Sequence, residues 1–139
     1  MKIRNDIPLG YTYDSNDKQL TFKDDEGFWS EFTYNSNGQQ LTCTDSNGFW
    51  VEITYNSNGD MLTFKDSNGI FTETTYNSNG QQSTFNHSNG FWTEHTYDLS
   101  SKLITYKTGG GGRKENGYDK KGNQISFTKK EAQKLKMIN

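Results

Sequence analysis

The side chains that could do chemistry in this sequence recur in rows. Trp29, Trp50, Phe71 and Trp92 stand 21 residues apart, and each is followed two positions on by Glu31, Glu52, Glu73 or Glu94 and four positions on by Thr33, Thr54, Thr75 or Thr96. An aromatic ring beside a carboxylate can stack on a sugar while the carboxylate accepts its hydroxyls, or it can anchor a protein partner. The eight aromatic and acidic residues are therefore the candidate binding site. The competing reading is that equivalent residues of stacked repeats form ladders whatever the function, with pairs such as Glu52 and Lys65 adding a few tenths of a kcal/mol each.

Catalysis needs unlike residues converging on one point, and this chain offers like residues in lines. His87 stands where neighbouring units have a turn Asp, and His95 where they have Ile53-type core positions. Asp24, Asp45 and Asp66 begin turns, where a carboxylate accepts backbone N–H groups; a ladder of calcium sites is the lesser alternative. Cys43, the single cysteine, replaces a Phe of the adjacent units and reads as a small core hydrophobe. There is no disulfide framework, phosphate loop, zinc spacing or Ser-His-Asp order. The expectation is a protein that is not an enzyme and that takes no metal and no cofactor.

The rows imply elements that repeat with them. Tyr13, Tyr34, Tyr55, Tyr76, Tyr97 and Tyr118 share the 21-residue period, and each full unit, such as YNSNGQQLTCTDSNGFWVEIT from Tyr34, holds two turn signals separating short runs rich in Thr and aromatic residues. That pattern is strand, turn, strand, turn. Reading Asn58-Gly59 as a two-residue hairpin places Tyr55 opposite Leu62, Ile53 opposite Phe64 and Glu52 opposite Lys65. Reading residues 45–48 as a three-residue loop with Gly48 left-handed places Leu41 opposite Ile53 and Thr42 opposite Glu52. One face then carries Leu41, Cys43, Phe49, Val51, Ile53 and Tyr55, a core side. The other carries Gln40, Thr42, Thr44, Trp50, Glu52 and Thr54, a wet side. The predicted fold is all-β: tandem antiparallel β-hairpins in a meander of about ten to twelve strands that follow sequence order.

The array spans residues 1–127 and is diluted from about residue 108. Gly109 to Gly112 fall where other units have a turn and strand start, and Glu115 falls at the position of Glu94, so a weak strand is expected there. Residues 128–139 predict a short basic helix, with Thr128 and Glu131 at capping-box spacing and Ala132, Leu135 and Ile138 at helical intervals.

At 139 residues and 29% apolar content, any core must be thin and aromatic. No stretch has the length of an apolar membrane helix, and MKIRNDIPLG lacks the apolar run of a secretory signal, so cytoplasmic localisation is the expectation. Residues 1–108 carry 7 Lys and Arg against 14 Asp and Glu, a net −7, and residues 109–139 carry 8 against 3, a net +5. A two-strand unit advances about 10 Å, whereas duplex DNA carries a charge every ~1.7 Å. The acidic array is too sparse to imitate DNA, and nucleic acid is not expected as a partner. The basic tail reads as solvated or docked on its own array.

These units resemble the YD or Rhs repeat family, with its Tyr-Asp turn, Gly, Leu-Thr pair and second Asp-x-x-Gly turn. The resemblance covers about Thr12 to Phe127, although Asn35, Asn56 and Asn77 stand where the family has Asp and only Asp14, Asp98 and Asp119 keep the YD form. It implies a scaffold in a phage or mobile-element setting, hence host cytoplasm, with antagonism of a host factor such as a CRISPR complex as one possible task. The sequence reading is thus a protein-binding repeat module. Its alternatives are a carbohydrate-binding module and a purely structural phage or shell component. The apolar early units add the expectation of a homodimer that buries their core face.

Overall fold

The computed structural model describes residues 2–110, 113–119 and 121–125. Among these residues, twelve antiparallel strands follow one another along the sheet in sequence order. They are β1 (Gly10–Tyr13), β2 (Gln19–Lys23), β3 (Trp29–Tyr34), β4 (Gln40–Asp45), β5 (Trp50–Tyr55), β6 (Met61–Asp66), β7 (Phe71–Tyr76), β8 (Gln82–His87), β9 (Trp92–Tyr97), β10 (Leu103–Gly110), β11 (Arg113–Asp119) and β12 (Gln124–Ile125). The chain divides into two compact units, Met1–Gly69 and Ile70–Asn139, holding β1 to β6 and β7 to β12. The predicted helix at 128–139, and with it the boundary after residue 127, lies outside the described residues.

Both turn types are three-residue loops closed by the same device. In the turn after Tyr55, the Asn56 amide donates to the Asp60 carbonyl at 2.9 Å and the Gly59 amide to the Asn56 carbonyl at 3.0 Å. The side-chain Oδ1 of Asn56 accepts from the amides of Asn58 and Asp60 at 3.0 and 2.9 Å. Asp14, Asn35, Asn77, Asp98 and Asp119 accept two backbone amides in the same way. Asp and Asn are interchangeable here because each offers one oxygen at the same place. The third loop residue must be left-handed, with φ +85° at Gly59, and where glycine is missing Asp17 (φ 62°) and Ser101 (φ 66°) take the strained conformation.

The loop corrects one part of the expected register. Tyr55 faces Met61 and not Leu62, because the Tyr turn has three residues where two were expected. A β-bulge immediately after it restores the count, so that Thr54 faces Thr63, Ile53 faces Phe64 and Glu52 faces Lys65, as the sequence predicts. The other turn holds as read: Gly48 has φ +88° and Thr42 faces Glu52.

Two further contacts explain the repeated residue types. Tyr34 donates its hydroxyl to the Gln19 carbonyl at 2.6 Å, and Tyr55 to Gln40 at 2.8 Å, which ties each Tyr turn back over the preceding hairpin. The hydroxyl of Ser46 accepts from the Trp29 amide at 3.2 Å while the Ser46 amide donates to the Trp29 carbonyl at 3.0 Å. Ser67 does the same for Trp50, and Ser88 for Phe71.

The diluted end departs from the repeat. By analogy with Thr84 facing Glu94, Glu115 belongs opposite Thr105, but Thr105 faces Asp119 and Tyr106 faces Tyr118. The β10–β11 register has slipped by four residues, an even number that leaves the faces unchanged. Glycine is the physical reason. β10 runs on for eight residues, Gly109 pairing with Trp92, and at Gly110 (φ +74°) any Cβ would sit 1.8 Å from the Gly90 carbonyl oxygen. The glycine run therefore lengthens β10, the strand that precedes the one expected to be weak.

Candidate functional site

The Trp and Glu rows lie on the strands as expected, but their exposure differs sharply from one copy to the next. Trp29 is 3% exposed, Trp50 37% and Trp92 0%, and Phe71 is half-buried. The expectation of a uniformly wet face is corrected by what covers it.

In the first unit the cover is the segment before the repeats. Residues 2–9 lie across the Trp29 and Glu31 end of the sheet. The Lys2 amide donates to the Ser46 carbonyl at 3.1 Å, and its carbonyl accepts the Trp29 indole Nε1–H at 2.6 Å. The Arg4 guanidinium stands 5.1 Å from the Trp29 ring centre, pairs with Glu31 at 3.1 Å and with Asp6 at 2.7 Å, and Lys23 Nζ donates to the Arg4 carbonyl. A cation over an indole face with a carboxylate alongside is a favourable arrangement. Hydrogen bonding to Asp6, reinforced by Glu31, holds Arg4 above its ordinary pKa, and the bond from Arg4, followed by one to its own backbone, lowers Asp6 to about 2. Ile7 completes the segment, buried over a cavity lined by Leu20, Thr21, Phe32 and Thr33.

The same face one unit on is open. Trp50, Glu52 and Thr54 are all exposed along β5, and Glu52 faces Thr42 and Lys65. In the second unit, Glu73 faces Asn86, while Glu94 pairs with Lys107 at 3.9 Å. Beside the rows, threonine hydroxyls bond across the strands: Thr12 with Thr21, Thr33 with Thr42 and Thr54 with Thr63, each at 2.6 Å. A cross-strand ladder is thus present in the threonine pairs that flank the columns, and Trp50 and Glu52 are exposed beside it.

The turn acids are occupied. Asp24 and Asp45 each accept two backbone amides, and His87 Nδ1 takes the same role for Asn89. Among the described residues, no group of three His, Cys, Asp or Glu side chains is placed to hold a metal ion. Cys43 is half-buried, and burial, with Asp45 adding to it, raises its thiol pKa, the opposite of what activates a nucleophile. His95 is pushed below its ordinary value by burial, and its Nδ1 has no hydrogen-bond partner among the described residues.

The sequence reading missed Lys2, Arg4 and Ile7. Ile3, Ile7 and Leu9 were visible as apolar residues outside the repeat, but no periodicity says where such a segment docks.

No protein-family model and no curated protein sequence matches the chain. Solved structures do. A crystal structure of TcdB2-TccC3-TEV superposes with a TM-score of 0.54 at 21% identity over 82% of this chain, and one of TcdB2-TccC3 with 0.51 at 20% over 82%. This chain spans 7% of each of those chains. The likeness bears on the fold, a meander of antiparallel hairpins, which is the architecture that the 21-residue pattern of strands and turns predicts. No helix among the described residues is long and apolar enough to cross a membrane.

Proposed function

We propose that the chain is a non-enzymatic, protein-binding repeat module whose contact surface is the Trp and Glu face of the array. The observation that carries this reading is that the face already holds a polypeptide: residues 2–9 dock on Trp29 and Glu31 through an indole hydrogen bond, a cation over the ring and an ion pair. The proteins named in the matched structures, TcdB2 and TccC3, occur together in one complex, which agrees with a role in protein assembly. A phage or mobile-element setting is the finer form of the proposal and rests on the repeat resemblance.

The test is stoichiometric capture of a partner from candidate host cells by the full chain and its variants. Trp50→Ala should weaken capture at least tenfold, whereas deleting residues 128–139 should leave it within about tenfold, or ~1.4 kcal/mol. Capture abolished by a folded, tail-deleted protein moves the site to the basic tail. Saturable binding on a glycan array that is lost in Trp50→Ala replaces the protein partner with a carbohydrate.

A further inference from the structure

The N-terminal segment is a ligand whose chemistry is known, bound at one copy of a site that the repeat supplies again. At Trp29 the segment uses three receptor groups: the indole N–H, the Ser46 carbonyl and the Glu31 carboxylate. Each has a counterpart 21 residues on, in Trp50, Ser67 and Glu52. The local frame is also the same, since Ser67 holds the Trp50 amide at 3.1 Å and its carbonyl at 3.0 Å, as Ser46 holds those of Trp29. Thr42 and Thr54 take the places of Thr21 and Thr33, which line the cavity under Ile7 on this face.

The difference lies in occupancy. Ser46 and Trp29 are each 3% exposed beneath the segment, whereas Ser67, Trp50 and Glu52 are exposed. The Trp50 indole and the Glu52 carboxylate make no hydrogen bond or ion pair among the described residues. The other copies are altered: Phe71 has no indole N–H, and at Trp92 the serine is replaced by Gly109 while Lys107 reaches Glu94.

We infer that the Trp50, Glu52 and Ser67 face binds an extended, arginine-bearing segment of a partner protein, with the arginine over the indole and an aliphatic residue three positions after it. The inference deepens the protein-binding reading and rests on it. The occupant follows from the bound example, in which Arg4 and Ile7 have that spacing, and from the carboxylate that the site presents. The chain's own segment is held at Trp29, joined there by Lys23 to the Arg4 carbonyl, and Thr44 replaces that lysine in the open copy. The open copy is thus the weaker site for this particular sequence and is left for another chain.

The experiment uses the full chain labelled with 15N and observes its three indole N–H signals, assigned by Trp50→Phe and Trp29→Phe variants. The probes are a synthetic peptide with the sequence of residues 2–9 and its Arg4→Ala counterpart. The Trp50 signal should move saturably with the first peptide, at least tenfold more weakly with the second, and at least tenfold more weakly in Glu52→Gln. A Trp50 signal that stays fixed up to millimolar peptide, equal affinity for the two peptides, or movement of Trp29 alone overturns the inference. Movement of Trp50 on concentrating the protein by itself assigns the site to a second copy and overturns the partner assignment. Partner capture that still depends on Trp50 after the peptide test fails would leave the module reading standing, and loss of both would remove both.

Discussion

At the scale of single residues, the repeat is built from side chains that complete backbone hydrogen bonds, and its departures are where stability should respond. His95 occupies an aliphatic position, lies tilted against Tyr106 with ring centres 4.9 Å apart, and leaves a buried Nδ1 unpaired among the described residues. His95→Ile should raise stability by about 1–2 kcal/mol, by removing an unsatisfied polar atom and burying more apolar surface. Because burial lowers the folded pKa of His95, its neutral form contributes fully above the unfolded value of about 6.5, and that contribution is lost as pH falls through the folded value. Urea midpoints between pH 7.5 and 5 should therefore fall less for the Ile variant than for the wild type. Asp119 acts at more acidic pH. The Asn123 amide first, then the Asn123 side chain and the Lys121 amide, hold its carboxylate below the ordinary range, so this turn should weaken as pH falls below about 4. Asp119→Asn should keep the turn, as Asn35, Asn56 and Asn77 do, and remove that acid step from the amide shifts of β12. Strain gives a third response: replacing the left-handed Asp17 with glycine should stabilise by up to about 1 kcal/mol in chemical denaturation.

At the scale of elements, glycine separates two kinds of constraint. At Gly80 a Cβ meets nothing within 4 Å, so Gly80→Ala carries only the left-handed penalty of about 1 kcal/mol. At Gly110 the Cβ would overlap the Gly90 carbonyl, a backbone atom that cannot rotate away. Gly110→Ala should destabilise by about 3 kcal/mol and detach the end of β10 from β9, read as lost exchange protection at Thr108 and Gly109. The contrast also marks what was legible in the sequence. The 21-residue tyrosine period, the paired turn signals and the alternation around Val51 specified strands, order and faces, because each is a local or strictly repeating property. The register survived a misread turn because the three-residue loop and the bulge after Tyr55 cancel. The four-residue slip at Thr105 was hidden because glycines carry no side-chain pattern to set a register. The docking of Arg4 on Trp29 was hidden because it joins residues 25 apart with no repeat between them to read.

At the scale of the whole molecule, the core is thin enough that aromatic surface is left over. Ile7, Trp29, Val51 and Trp92 are the buried apolar residues among those described, while Tyr11 is 58% exposed, Tyr13 56% and Phe49 37%. In the first unit, Tyr11 stacks at 6.3 Å on Tyr13 and lies 4.7 Å from Phe22, which in turn meets Phe28 at 6.3 Å. This aromatic run lies on the face opposite Trp29 and Glu31, so the segment that docks there leaves it uncovered. Large exposed apolar patches on soluble proteins mark contact surfaces, and a two-fold pairing would bury the same patch on both copies. We therefore expect self-association through this face. Sedimentation equilibrium from micromolar concentration upward should give a mass that rises above 15.9 kDa. Tyr11→Glu with Phe49→Glu should return it to the monomer while the indole signals of Trp29 and Trp50 keep their positions, since those residues lie on the other face. A mass that stays at the monomer value at every concentration would mean that the aromatic run is not a dimer interface.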